Sequence, residues 1–298
     1  MVTSQQRDTV VVGCDGSWHS NHAVDVAARL AADRGHGLTL LVVPSHSAPV
    51  DRSLRGHLEE EAAAWGRAHE TAQLAQERAV MQAPRVAVEH MVGDLDGTAL
   101  PELAARAAVL VLGSQGSEGQ RAMSMSSPGP AMVRRLGCPV LVPRERGVSH
   151  PRMPRQRRVV VGVDGRGGEE ELISIAAAEA MVRGRDLVIV RAVRPSEVGG
   201  GIARPDVWDE TWMAVRHAEH TGAVSSRVVV GVGDALAVLT TECARDDLLV
   251  VGTRGLTRLS GLVAGSVARA VLDAGVCDVL VVPPCARTLA WSPVAAAV

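Results

Sequence analysis

Short runs of β-branched and aliphatic residues recur along the chain, each followed by a stretch in which apolar residues return every three or four positions. TVVVGCD predicts a strand closing near Asp15, and Ala23, Val26, Ala27 and Leu30 on one face predict a helix from about Trp18 to Arg34. GLTLLVVP reads as the next strand. A long helix around Ser53 to Met81, a strand in RVAVEHMV, a helix around Ala99 to Ala107, a strand in AVLVLG and a closing helix and strand follow. Farther on, RVVVGVD, DLVIVRAV, RVVVGV, DLLVVG and DVLVVP keep the same rhythm. Continuous apolar runs, rather than alternating ones, mark strands buried on both faces, which means a parallel sheet with helices on either side.

The rhythm is a repeat. VVVGCDG at Val10 returns as VVVGVDG at Val159, VLVLGSQG at Val109 as LLVVGTRG at Leu248, and CPVLVP at Cys138 as CDVLVVP at Cys277; Gly93-Asp94 is matched by Gly233-Asp234. Landmarks in one order, twice, indicate a tandem duplication. The expected organisation is a first domain over 1–146, a basic, proline-bearing linker over 147–157, a second domain over 158–285 and a tail over 286–298. Each domain is expected to be a doubly wound, five-stranded parallel α/β fold of the Rossmann-like kind, its ligand at the carboxyl ends of the strands near the switch point.

Composition narrows the chemistry. The chain has 298 residues, 47% hydrophobic and 21% charged, with a net charge of −2, which suits a globular protein without a bulk attraction for nucleic acid or membrane. It contains no lysine, phenylalanine or tyrosine. A P-loop lysine, a Schiff-base lysine and a Phe/Tyr base-stacking sheet are therefore excluded. The opening MVTSQQRDTVVV has no charged segment leading into a long apolar one, and the five cysteines form no CxxC pair, so a cytoplasmic location is expected.

One stretch carries the functional signal: VVGTRGLTRLSGLVAGSVARAV, from Val250. A strand ends near Gly252, a helix starts near Ser266, and Gly275 is placed to stop it. Glycines at a strand-to-helix junction let backbone amides approach an anion, and the helix start adds partial positive charge. Gly252, Gly255, Gly265 and Ser266 follow the spacing G-x2-G-x9-G-S, and with VGVDG and VLVVP around them the sequence resembles the universal stress protein family over nearly its whole length, twice.

That resemblance implies an adenine nucleotide site. Asp164 would meet the ribose or a phosphate-bound metal, Gly162 and Val163 would line the adenine side, and Ala192 would offer backbone groups to the base. Gly252, Arg254 and Gly255 would wrap the ribose and phosphates, while Gly265, Ser266 and Val267 would bind the terminal phosphates. The expected ligand is ATP, with Mg as an optional companion. A weaker first site would use Gly13, Cys14, Asp15, Gly113 and Gly116, but Ser126-Ser127 stands where the third glycine belongs, and Pro128 and Pro130 remove amides beyond it. Unequal sites are expected, the second dominant.

Other features have plainer readings. Asp15 and Asp164 have a second reading as helix caps. Glu169 to Glu171 are expected to favour a helix N-terminus. Cys138 and Cys277 read as core thiols, and His19, His22, His217 and His220 as surface histidines without a third metal ligand. Met123 and Met125 read as loop filler. The resemblance implies a regulatory module in the stress response, with no catalytic residue assigned; a slow ATPase and a nucleotide-free dimerisation scaffold are the alternatives. It also implies that the two closing strands meet, making a pseudo-dimer of the copies, with homodimerisation and a protein partner left open.

Overall fold

A computed structural model describes residues 8–45, 53–93, 99–116, 137–144, 157–165, 169–199, 202–203, 205–220, 225–253 and 266–284. The chain divides into two compact units, one ending at Cys138 and the other beginning at Pro139.

The first unit holds strands β1 (Thr9–Gly13), β2 (Gly37–Val42), β3 (Val88–Val92) and β4 (Ala107–Val111), with helices α1 (Trp18–Arg34), α2 (Leu54–Gln82) and α3 (Ala99–Arg106). The strands run parallel in the order β3-β2-β1-β4, so the winding reverses between β1 and β4. Helix α1 begins where Ser17, in extended conformation, accepts the Ser20 amide, and ends where Gly35 takes φ 65°. Ser53 caps α2 in the same way through the Gly56 amide, at 3.2 Å. The buried stripe of α2 is almost all alanine: Ala64, Ala68, Ala72, Ala75 and Ala79. Small side chains let the helix lie close, which suits a core built without phenylalanine or tyrosine. Arg78 of α2 clamps Asp25 of α1 with two hydrogen bonds of 2.7 Å.

The second unit contains β5 (Val140–Val142), β6 (Val159–Val163), α4 (Glu170–Val182), β7 (Leu187–Val193), a small antiparallel hairpin of β8 (Val198–Gly199) and β9 (Ile202–Ala203), and α5 (Pro205–His220). It continues with β10 (Ser226–Val232), α6 (Ala235–Glu242), β11 (Leu248–Gly252), α7 (Ser266–Ala274) and β12 (Asp278–Val282). Its main sheet runs β10-β7-β6-β11-β12-β5, with reversal between β6 and β11. Only β5 is antiparallel to its neighbour here, pairing Val142 with Val279, Leu141 with Leu280 and Val140 with Val281. The two closing strands of the repeat therefore meet inside this unit. Arg144 extends the join, its amide donating to Asp278 Oδ1 at 2.8 Å and its Nη1 to the Val276 carbonyl at 2.6 Å.

Each sequence copy thus contributes five strands to a doubly wound α/β arrangement, as the hydrophobic pattern predicts. At the foot of the second sheet, Asp247 is fully buried and accepts from the Arg158 amide (2.8 Å), Arg158 Nη2 (2.7 Å) and the Ala244 amide (2.9 Å). That network ties the start of β6 to the start of β11. Among the described residues no helix is long and apolar enough to cross a membrane.

Candidate functional site

In the first unit β1 and β4 deliver their ends to the reversal point, where a doubly wound sheet opens a crevice. Gly13 is half-buried there, and Cys14 turns inward, 5% exposed, with its amide donated to the Leu41 carbonyl. Burial, reinforced by the neighbouring Asp15 charge, pushes the Cys14 thiol up to about 12, so it stays protonated. Asp15 is exposed, and its Oδ1 accepts the Ser17 amide at 3.0 Å. It shapes the turn, while the helix cap is Ser17. A cleft of about 510 Å³ lies at this mouth, lined by Asp15, Ser17, Trp18, His19, Gln115 and Gly116 among others.

Gly113, at the end of β4, has a structural explanation. A Cβ there would stand 2.8–2.9 Å from the His19 carbonyl group and the Ser20 amide nitrogen, so α1 rides directly on this glycine. Ser114 Oγ lies 3.2 Å from His19 Nδ1, joining the same two segments. Trp18 is exposed and stacks on His22, centroids 6.2 Å apart. Ser126, Ser127, Met123 and Met125 lie outside the described residues.

The second unit builds its mouth differently. Gly162 faces α6, since a Cβ would meet Leu239 Cδ2 at 3.2 Å. Val163 is buried and Asp164 exposed at the strand end. Glu169 departs from the expected helix-end role: Glu170 and Glu171 occupy the first turn of α4, but Glu169 turns its carboxylate back to the strand. It is 8% exposed, with Oε1 accepting the Asp164 amide at 2.6 Å and Oε2 the Gly165 amide at 3.3 Å. The reason is local demand, because two adjacent strand-end amides need an acceptor and the carboxylate has two oxygens. Arg191 of β7, also buried, passes beneath the same turn, and Ala192 beside it is half-buried in register with Gly231.

At the end of β11, Gly252 is half-buried and pairs with Val282. Among the described residues a Cβ there would meet only Leu172 Cδ2, at 3.5 Å, an ordinary contact, so none of them dictates glycine. Ser266 is the exposed first residue of α7, Val267 is half-buried, and the buried Ala268 and Val271 fix the helix against the sheet. Their amides belong to the first turn, where helix donors lack intrahelical partners. Arg254, Gly255 and Gly265 lie outside the described residues.

His217 has a local partner, its Nε2 lying 2.7 Å from Ser174 Oγ. Among the described residues no three His, Cys, Asp or Glu side chains converge on a metal-sized point. Cys138 and Cys277 are buried core thiols, as their strand-start positions suggest. The pattern of apolar runs gives no hint of Glu169 and Arg191 acting at the site. The repeat does, because laying VVVGVDG over VVVGCDG sets Glu169 opposite Ser20.

Comparison with known proteins bears on this geometry. The sequence profile of the universal stress protein family matches residues 6–144 and again 156–283. The chain belongs to the universal stress protein family. A universal stress protein of Mycobacterium tuberculosis strain H37Rv is 30% identical over 297 residues, covering 94% of this chain and 99% of its own. A second from the same strain is also 30% identical, over 309 residues, covering 94% and 96%. Among solved structures, a universal stress protein from Archaeoglobus fulgidus matches with a TM-score of 0.65 at 14% identity, covering 94% of this chain and 99% of that one. This likeness concerns the fold, and it extends to both copies.

Proposed function

We propose that this universal stress protein binds an adenine nucleotide, ATP in the first instance, chiefly at the mouth of β6 and β11 in the second unit, and that occupancy regulates a stress-response partner. One observation carries the preference for that unit. Gly113 and Gly252 hold equivalent places in the repeat, yet α1 accounts for Gly113, whereas among the described residues none requires the missing side chain of Gly252. A glycine without a packing reason among the described residues, at a switch point and in the segment that leads to a helix N-terminus, fits close approach of an anionic ligand.

The exposed Asp164 carboxylate would face the ribose or a phosphate-bound Mg, and Ser266 and Val267 the phosphates. Family resemblance, together with the G-x2-G-x9-G-S spacing from Gly252, supports adenine as the base. Occupancy would change the surface at the junction of β11 and α7, and that change is what a partner would read. Bound ligand at about a hundred times its dissociation constant would add roughly 2.7 kcal/mol to folding stability.

Calorimetric titration of the full chain with Mg-ATP tests the reading. Binding that is lost in Gly265→Val and retained in Gly113→Ala supports it. Absence of binding by the unaltered chain overturns it.

A further inference from the structure

The turn after β6 is held by two buried, oppositely charged side chains that have no counterpart in the first unit. Glu169 places one carboxylate oxygen on the Asp164 amide and the other on the Gly165 amide. Arg191 is 5% exposed, its Nη1 donates to the Val207 carbonyl at 3.1 Å, and any side chain on Gly165 would fall on its guanidinium. Both groups therefore reach the same residue, Gly165, which has φ +71°.

The first unit solves the same problem without charge. Ser20 sits opposite Glu169 in the repeat, and its hydroxyl accepts the Asp15 amide at 3.4 Å, longer than the 2.6 Å made by Glu169. Sheet register supplies the other comparison: Val10 pairs with Leu38 and Val159 with Leu187, so the position of Arg191 corresponds to Val42. Val42 is buried and aliphatic. The repeat has thus exchanged a hydroxyl and a valine for an anion and a cation, both at one turn. A lone buried charge is strongly destabilising, and two opposite ones serving one residue offset each other.

We propose that Glu169 and Arg191 work as a matched pair that fixes the Asp164–Gly165 turn, with Glu169 the positioning residue that aims the Asp164 carboxylate at the nucleotide; the inference rests on the nucleotide reading given above. A carboxylate on both amides leaves the backbone of Asp164 little freedom, so its exposed side chain leaves the strand in one direction. Arg191 neutralises the carboxylate and anchors the floor of the turn to the start of α5. The second site is preorganised by charge, the first held loosely by a hydroxyl.

The test grafts the first unit's solution onto the second, in the full chain: Glu169→Ser, Arg191→Val, and both together. Each is titrated with Mg-ATP with and without Asp164→Ala, and thermal unfolding is followed in parallel. Glu169→Ser should weaken ATP binding about tenfold when Asp164 is present, in line with the sensitivity of bound geometry to small displacements, and have almost no effect once Asp164 is alanine. Either charge removed alone should lower the melting temperature by roughly 5 °C or more, and the double change should recover part of that loss. An equal affinity loss with and without Asp164 overturns the positioning role. Melting losses that simply add in the double variant overturn the pairing. If the unaltered chain binds no ATP, the function proposed above falls and the positioning role with it, while the melting cycle still decides the pairing.

Discussion

At the scale of single residues, the two strand-end glycines make opposite predictions. Gly113→Ala drives a Cβ into the His19–Ser20 backbone, which cannot swing aside, and should cost about 1–3 kcal/mol in thermal or denaturant unfolding. Gly252→Ala meets, among the described residues, only Leu172 at ordinary distance and should leave stability nearly unchanged while lowering ATP affinity. Sequence alone read both glycines as parts of a phosphate cradle, because spacing reports where a glycine stands and not what lies over it. His36 sets a pH dependence. Burial first, then Arg34, lowers its pKa, against an opposing pull from Asp8. The unfolded chain therefore binds more protons than the folded one as pH falls through the ordinary value of 6.5, so this contribution is intact above that value and lost on acidification. Melting curves between neutral pH and about pH 5 should show a smaller loss in His36→Gln than in the unaltered chain.

Among the elements, helix α1 was the most legible, its apolar spacing giving the span Trp18–Arg34 that the structure shows, with Ser17 and Gly35 as its caps. Ser17→Ala should cost about 1 kcal/mol, measured by chemical denaturation, because the Ser20 amide loses its acceptor. Buried ion networks are much less legible. Asp247 in DDLLVVG looks like a polar residue before a strand, yet three donors converge on it, the nearby Ala244 amide and two from Arg158, far off in sequence. Asp247→Ala should destabilise the chain by roughly 3–5 kcal/mol, checked by the same unfolding assay, since Arg158 would keep its charge beside an emptied pocket. Glu169 escaped for the same reason. Acids near a helix start have a sufficient local explanation, and only the fold reveals that one of the three faces the other way.

For the molecule as a whole, periodicity and repeat made the architecture readable, including two windings of the same kind, because burial on both faces leaves a continuous apolar signature in each strand. What a repeat cannot announce is where one copy's folding unit stops. The first copy's closing strand, β5, falls in the compact unit that begins at Pro139 and covers the edge of β12. A fragment from Val159 to Val298 lacks β5 and its three-residue pairing with β12, and should therefore unfold at a lower temperature than one from Pro139 to Val298.

That displaced strand also constrains how such a chain can be inherited. A gene cut at the boundary of its duplicated text would part β5 from β12 and leave the second product without the hem of its sheet. Loss of the first half of the text would then cost the second half a strand of its own sheet, so the two copies are not interchangeable modules.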